Sequence, residues 1–163
     1  MPDMRLMIAQ QRGIKVHRAC FAIAKGCWAL VDEEAEPYVQ SFKIWVENVV
    51  EKIVYVGDDS GPGLIDEEFG FIGHPDIIVT LKRECHPRVI DLKTPITKTK
   101  IWRLQLAAYS HLAMKAGWSV DISGSLRLSP NGEIAKFDAS ENWHRDFAVF
   151  LSALNIYRFM MGG

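Results

Sequence analysis

Cysteine is rare in this chain, and disulfides are not expected to hold the fold together. The three cysteines, Cys20, Cys27 and Cys85, are an odd number and lack the close paired spacing of a zinc site. We therefore predict reduced, buried thiols in a cytosolic protein. The sequence has no apolar run of the roughly 18 residues that a transmembrane helix needs, and its N-terminal segment is too polar for a signal peptide. It thus favours a soluble, cytoplasmic protein with no membrane partner.

An excess of either charge is also lacking. The chain has 19 Lys and Arg residues against 20 Asp and Glu residues, which gives a net charge of −1. This balance excludes a polycation, so a nucleic-acid partner would need a local basic patch and metal ions at an acidic site. The 163 residues, 48% of them apolar, are typical of a globular protein with one hydrophobic core, and we predict a single domain over residues 1–163.

Hydrophobic periodicity changes several times along the chain and predicts both helices and strands. Helical spacing covers residues 15–30, a segment beginning at Pro37, residues 101–115 and residues 140–161. Strand-like runs cover residues 53–56, 64–71, 76–81, 88–92, 120–128 and 134–137. Short links predict two antiparallel hairpins, one within residues 76–92 and one within residues 120–137. This succession favours an α/β (α+β) fold with a mixed central β-sheet flanked by helices over a regular βαβ repeat.

Two aspartates fall on the first of these hairpins. Asp76 begins one strand and Asp91 ends the next, with 14 residues between them. In an antiparallel hairpin those positions lie side by side, so the two carboxylates could share a divalent ion. Each alone has an ordinary explanation, because aspartates at strand ends usually form turns. Both, however, follow strongly apolar residues, where a buried charge requires a reason.

A lysine follows the second aspartate at the repeat distance of a strand. Asp91 and Lys93 are two residues apart, so their side chains leave the same face. An ammonium group there could contact a scissile phosphate and orient or activate the attacking water, whereas a surface ion pair is the ordinary alternative. Leu92 faces the opposite way, into the core, which leaves its backbone carbonyl as a candidate metal ligand.

Three further side chains are candidates for the same site. Gln105 and Tyr109 stand at positions i and i+4 of a predicted helix, so they share one face and could reach a phosphate or order the Lys93 loop. The ordinary alternatives are a solvated glutamine and a core tyrosine with an exposed hydroxyl. His17 lies among apolar residues of the first helix and is either a packed histidine or a nitrogen ligand to the metal.

The segment after Lys93 alternates basic residues with an aromatic one. Lys98, Lys100 and Arg103 surround Trp102 in the stretch that leads into the next helix. This pattern suits a track for a nucleic-acid backbone with a stacking platform, and a solvated loop with a buried tryptophan is the alternative. Because the segment adjoins Lys93, we predict that it contacts the substrate.

Taken in chain order, these motifs resemble those of the PD-(D/E)xK nuclease superfamily, and more closely its RecB-like exonuclease branch. The signature of that branch is a histidine in an N-terminal helix, a Gly-x-x-Asp strand, an Asp-x-Lys strand and a Gln-x-x-x-Tyr helix. The matching residues are His17, Gly73 and Asp76, Asp91 and Lys93, and Gln105 and Tyr109. The match covers most of the chain, since the second hairpin and the last helix are also similar to that branch.

The resemblance implies a restriction-endonuclease-like core and a phosphodiester hydrolase. It implies Mg²⁺ or Mn²⁺ held by His17, Asp76 and Asp91, a catalytic Lys93, and a helix with Gln105 and Tyr109 beside the cleaved strand. The expected activity is exonucleolytic degradation of DNA, at single-stranded or duplex ends, during recombination, repair or phage replication in a bacterial or phage-infected cell. Several members of the branch hold an iron–sulfur cluster with four cysteines, and the three cysteines here predict none. Without a helicase region, the nuclease would act alone, as a homo-oligomer, or with a separate recombination protein.

Other functions are compatible with the same residues. A structure-specific or restriction-type endonuclease would use an identical site, because end dependence comes from the surrounding surface. A non-catalytic DNA-binding or scaffold subunit would keep the fold, but such a subunit typically lacks an acid or the lysine, and here all are present. An interaction module with an accidental motif match is the remaining alternative.

Overall fold

The computed structural model describes residues 4–58, 61–95, 97–140 and 142–162, except for the side chain of residue 5. Its helices are α1 (Met4–Ala24), α2 (Glu36–Val49), α3 (Ile101–Lys115) and α4 (Trp143–Met161). Its strands are β1 (Val50–Val56), β2 (Leu64–Asp66), β3 (Phe71–Gly73), β4 (Ile77–Leu81), β5 (Arg88–Lys93), β6 (Ser123–Arg127) and β7 (Lys136–Ser140). In this described part of the chain, no helix combines the length and apolar character that crossing a bilayer demands.

In the described residues, five strands form one mixed sheet in the order β1-β4-β5-β6-β7, and β2 pairs with β3 in a separate small ribbon. The β4–β5 and β6–β7 pairs are antiparallel, as predicted for the two hairpins, whereas β5 and β6 run parallel. A parallel pair needs a crossover connection, and α3 lies within it. The predicted α/β (α+β) fold, with a mixed central sheet flanked by helices, is therefore confirmed.

Helices cover both faces of this sheet because its central strands are apolar on both sides. α1 and α2 share a buried cluster with Ile90 and Leu92 of β5. α3 packs on the opposite face, where Leu106 and Val89 belong to a second cluster, and α4 lies against α3. Each buried aliphatic side chain contributes about 1.5–3 kcal/mol to folding. The alternation along β5 puts Asp91 on the α3 face, amid apolar surroundings.

The first helix starts and ends earlier than the predicted span of residues 15–30. It covers Met4–Ala24, and Gly13 lies inside it with Thr94 Oγ1 3.7 Å from the place of a Cβ atom. A single glycine costs a helix about 1 kcal/mol, which the packing of α1 offsets. Gly26, at φ 72°, then turns the chain out of the helix. α3, in contrast, has the predicted boundaries.

The ends of β1, β6 and β7 are shifted by a few residues from the predicted ones, and two other segments differ more clearly. The run at residues 64–71 is divided into β2 and β3, because the chain turns between them at Gly70, where φ is 67°. α4 is capped by Asn142, whose side chain accepts a backbone hydrogen bond from the first turn. Ser140, the first residue of the predicted helix, ends β7 instead. Glu141, the next one, lies outside the described residues.

The cysteines fit the prediction in part. Cys20 is buried on α1, and burial raises the pKa of its thiol far above the usual value. Cys27 and Cys85 are exposed, so the prediction of three buried thiols is wrong for these two. The physical reason for Cys27 is that α1 ends at Ala24, before the apolar face reaches this residue. Cys85 lies in the turn between β4 and β5, most of which is exposed.

Candidate active site

The β4–β5 hairpin brings the two predicted acids together. Ile77 pairs with Ile90 across the hairpin, so Asp76, which immediately precedes β4, lies beside the end of β5. Its carboxylate accepts a hydrogen bond from the backbone N–H of Leu92, with 2.6 Å between Asp76 Oδ2 and Leu92 N. Asp76 and Asp91 are both buried, at 8% and 2% exposure. The hairpin therefore places the carboxylates of Asp76 and Asp91 side by side, where little solvent reaches them. This buried place at the end of the hairpin is the corner of the site.

A glycine that follows β1 holds the backbone of this corner. The N–H of Gly57 donates a hydrogen bond to Asp76 O over 2.7 Å. A Cβ atom at Gly57 would lie 2.4 Å from Pro75 O, so any other residue would displace the backbone that carries the acid. The sequence shows no sign of this contact, because Gly57 is one of several glycines in a turn-forming stretch. It is a site residue that sequence reasoning missed.

His17 reaches the same corner from α1. Its Nε2 lies 3.0 Å from the carbonyl oxygen of Leu92, which can only accept, so Nε2 carries the proton of that hydrogen bond. Its Nδ1 lies 3.5 Å from Asp76 Oδ1. Burial lowers the pKa of His17, but Asp76 and Asp91 outweigh burial, and the pKa is raised above its ordinary value. The predicted histidine, the first acid and the Leu92 carbonyl are thus direct neighbours.

The pKa of the Asp91 carboxyl is strongly perturbed. Burial, followed by repulsion from Asp76, raises the pKa of its carboxyl to about 7, although Lys93 and His17 lower it. The nearest cation is the Lys93 ammonium, with 2.6 Å between Nζ and Asp91 Oδ2. One lysine therefore does not fully compensate the negative charge that the two buried carboxylates would carry at neutral pH. A second cation at this place would stabilise the ionised form.

The α3 helix holds the lysine through a chain of hydrogen bonds. Lys93 Nζ donates to Gln105 Oε1 at 2.9 Å, and Gln105 Nε2 donates to the Tyr109 hydroxyl at 3.0 Å. Lys93 Nζ also lies 5.4 Å from the ring centroid of Trp102. Asp91, the Gln105 amide and the indole ring thus fix the ammonium from three directions. The predicted pair at i and i+4 does share one face of α3, and that face points at Lys93.

Gly73 lets β3 approach α3 closely, because it has no Cβ atom. A Cβ atom at Gly73 would lie 2.7 Å from Leu112 Cδ1 and 3.0 Å from Tyr109 Cε1. Its backbone conformation is ordinary, so the requirement for glycine comes from the close approach and not from φ. The strand that leads into Asp76 and the helix that supports Lys93 therefore meet at this residue.

Replacing Gly73 by alanine should lower the free energy of unfolding by about 1–3 kcal/mol, because the added methyl group overpacks the contact with α3. Gly13→Ala is the matched control, since its methyl group meets Thr94 Oγ1 at an ordinary contact distance of 3.7 Å and should stabilise the protein by up to about 1 kcal/mol. Urea unfolding measures both changes. Equal stability of Gly73→Ala and the unchanged protein would contradict this account of the contact.

The predicted substrate segment lines a groove next to Lys93. The groove has a volume of about 290 Å³, and Lys98, Lys100, Trp102 and Arg103 are among its lining residues. Trp102 is half-buried, and Lys100 is exposed. Lys98 forms an ion pair with Asp138. The structure therefore brings all four predicted residues to one groove.

Arg103 has a second, structural contact. Its Nε and one terminal nitrogen each donate to the Asp146 carboxylate at 2.8 Å, which ties α3 to the start of α4. Paired N–H donors on a carboxylate fix the guanidinium in one orientation. Arg103 is consequently less able than Lys100 to follow a ligand, because leaving Asp146 would break two charge-assisted hydrogen bonds.

A buried pair that sequence reasoning missed supports the far end of α3. Asp66 Oδ1 accepts a hydrogen bond from Phe69 N at 2.8 Å, and Asp66 Oδ2 lies 2.5 Å from His111 Nε2. Burial raises the pKa of Asp66, but these two hydrogen bonds outweigh it and hold the pKa below its ordinary value. The pair fastens the β2–β3 ribbon onto α3. Nothing in the sequence distinguishes Asp66 from the exposed glutamates that follow it.

The donors at the corner suit a hard divalent cation by their chemistry. Two carboxylates, one backbone carbonyl and one imidazole come from Asp76, Asp91, Leu92 and His17, and Mg²⁺ or Mn²⁺ prefers such oxygen-rich sets. Within the described residues, no three His, Cys, Asp or Glu side chains form a ready-made metal cluster. The donor types and the incompletely compensated charge at Asp91 are the features that favour a cation here.

No family model matches the chain, and a comparison with curated proteins finds no match. The chemistry that the site offers is therefore the guide to its function. It offers an acid pair for a cation, an ammonium group held between a carboxylate and an amide, and a groove with basic and aromatic walls. These are means to bind a phosphate, to neutralise its charge and to orient a water molecule.

Proposed function

We propose that this chain is a divalent-metal-dependent deoxyribonuclease of the PD-(D/E)xK type, similar to the RecB-like exonuclease branch. The observation that carries the proposal is the meeting of Asp76, Asp91 and Lys93 at the end of one hairpin, with His17 beside them. Resemblance in four ordered motifs supports the same conclusion. The proposed setting is recombination, repair or phage DNA metabolism in the cytoplasm, where the protein acts alone, as a homo-oligomer or with a recombination protein.

Each residue has a task in phosphodiester hydrolysis. His17, Asp76, Asp91 and the Leu92 carbonyl would hold Mg²⁺ or Mn²⁺, which supplies charge neutralisation at the phosphate and lowers the pKa of water. The Lys93 ammonium has one N–H beyond those directed at Asp91 and Gln105. It donates this hydrogen to the phosphate, which fixes the phosphate relative to the incoming water. Gln105 keeps that ammonium in place, and Tyr109 keeps Gln105 in place.

The groove beside Lys93 supports DNA as the substrate. Trp102 offers an aromatic face to a base, and the exposed Lys100 offers an ammonium group to a phosphate. Stacking and backbone contacts together do not depend on base sequence. A nuclease that degrades DNA progressively needs this kind of sequence-tolerant hold on the strand.

Digestion of matched DNA substrates tests the proposal. End-labelled single-stranded DNA, linear duplex and closed circular DNA are incubated with Mg²⁺ or Mn²⁺, and with EDTA as the control. We expect metal-dependent loss of the linear substrates and intact circles, because the proposed enzyme starts from ends. Opened circles would establish the alternative endonuclease with the same residues. Binding without cleavage of any substrate would overturn the enzyme and leave a DNA-binding subunit.

A further inference from the structure

Positive charge is concentrated next to the proposed active site, although the chain as a whole carries a net charge of −1. Six basic residues lie around the groove and the adjoining strands, against three acids paired with them. The basic residues are Lys93, Lys98, Lys100, Arg103, Arg127 and Lys136, and the paired acids are Asp91, Asp138 and Asp146. A fourth acid, Glu133, lies near Arg127 and Lys136, so the cations remain in excess. This local surplus attracts a polyanion to one region of the surface.

Strand register aligns three of these cations in a row. Lys93 on β5 is paired with Arg127 on β6, and Arg127 is paired with Lys136 on β7. Paired residues of neighbouring strands project from the same face of a sheet, and each strand step is about 4.8 Å. The row therefore begins at the proposed catalytic lysine and extends roughly 10 Å to β7, the last strand of the sheet order.

Arg127, in the middle of the row, is held by an ion pair, whereas Lys136, at its end, is exposed. Arg127 Nε donates to Asp138 Oδ2 at 2.5 Å, and Lys98 pairs with the other oxygen of that carboxylate. Asp138 thus orients two cations at once, while the Arg127 guanidinium retains further N–H donors. Lys136 is exposed, and the described residues include no ion-pair partner for it. Arg127 and Lys136 also line a second groove of about 230 Å³.

We propose that Lys93, Arg127 and Lys136 bind successive backbone positions of one unpaired DNA strand, so that the substrate leaves the active site across β6 and β7. This inference rests on the proposed nuclease function and names its substrate as single-stranded DNA or the unpaired end of a duplex. A single line of cations follows one backbone. Trp102, on the wall of the neighbouring groove, then stacks with an exposed base, which a paired base cannot do.

Salt-dependent binding of oligothymidylate tests the row. Lys136→Gln and Arg127→Gln are compared with Lys52→Gln, an exposed lysine on β1 at the opposite edge of the sheet. Fluorescence anisotropy in EDTA measures affinity without turnover over a range of salt concentrations. Each phosphate contact releases counterions when DNA binds, so a protein that has lost one contact releases fewer of them. Lys136→Gln should therefore make the slope of log K against log salt less steep by about 0.7 and weaken binding several-fold at low salt. Lys52→Gln should leave both unchanged.

The outcomes separate this inference from the nuclease proposal. Unchanged slopes for both row variants in a protein that still cleaves DNA would overturn the row alone. Reduced slopes in a protein that binds single strands but cleaves nothing would support the row and overturn the nuclease. Tighter binding of blunt duplex than of oligothymidylate would overturn the single-strand assignment. Lys136 is exposed, so Lys136→Gln should fold normally. It therefore tests the row even if Arg127→Gln does not fold.

Discussion

Asp91→Asn is expected to reduce metal-dependent DNA cleavage by a factor on the order of 10³, with the fold intact. Asparagine keeps the size of the side chain but removes the charge that would bind the cation and hold the Lys93 ammonium at 2.6 Å. The measurement is the initial rate of label release from a linear substrate at saturating Mg²⁺. Cleavage at the unchanged rate would remove Asp91 from the mechanism.

The matched control for this substitution is Asp121→Asn. Asp121 is an exposed acid whose side chain retains 67% of its accessible surface, and it contacts His86 at 3.9 Å. The same chemical change there should leave cleavage unaltered, because Asp121 lines a groove with the β4–β5 turn, at the other end of β5 from Asp91. A similar loss in both variants would indicate a nonspecific effect of removing a negative charge.

The same substitution should also change how stability depends on pH. The pKa of Asp91 is raised to about 7, so the folded state binds this proton more tightly than the unfolded state does. That contribution is fully present below about pH 4 and is lost as the pH rises to about 7. The raised pKa of His17 acts in the same direction, and its contribution is lost as the pH rises above about 6.5.

Thermal unfolding in EDTA checks this expectation. The Tm of the unchanged protein should fall between about pH 5 and pH 8, and the fall should be smaller for Asp91→Asn. Added Mg²⁺ should raise the Tm of the unchanged protein most at the alkaline end, because the cation binds the ionised carboxylate. Parallel pH profiles for the two proteins would show that Asp91 does not titrate in this range.

Local sequence patterns predicted the part of the site that one hairpin and one helix turn determine. The spacing of Asp91 and Lys93 sets a common face, and the spacing of Gln105 and Tyr109 sets another, whatever the rest of the chain does. Strand order is different, because the parallel pairing of β5 with β6 joins residues that are more than 30 positions apart. The position of Arg127 beside Lys93 depends on that pairing and could not be read from either segment.

The same distinction explains why the sequence did not identify Gly57 as a site residue and why the predicted burial of Cys27 was wrong. Gly57 is required because the backbone of Pro75 passes 2.4 Å from its missing Cβ, which is a tertiary contact. Cys27 is exposed because α1 ends three residues earlier, at Ala24. Periodicity describes which face of an element is apolar. It does not establish where the element stops or which other segment covers it.

Lys93→Met is expected to lower cleavage by about 10²- to 10⁴-fold, because an uncharged thioether supplies neither the positive charge nor the N–H donor of the ammonium that lies between Asp91 and Gln105. Methionine retains the aliphatic stem and its packing. Lys93→Arg should also be strongly impaired, since a planar guanidinium cannot match the 2.6 Å and 2.9 Å contacts of Nζ. Single-turnover rates at saturating Mg²⁺ distinguish lost chemistry from weakened binding.

Gln105→Ala separates positioning from catalysis. Gln105 touches Lys93 and Tyr109, so its loss should loosen the ammonium and cost about 10- to 100-fold in rate, less than loss of Lys93 itself. In the double variant of Lys93→Met and Gln105→Ala the two effects should not add, because the amide acts only through the lysine. Additive losses would mean that Gln105 contacts the substrate directly, and an unimpaired Lys93→Met would contradict the assignment of the ammonium to the reaction.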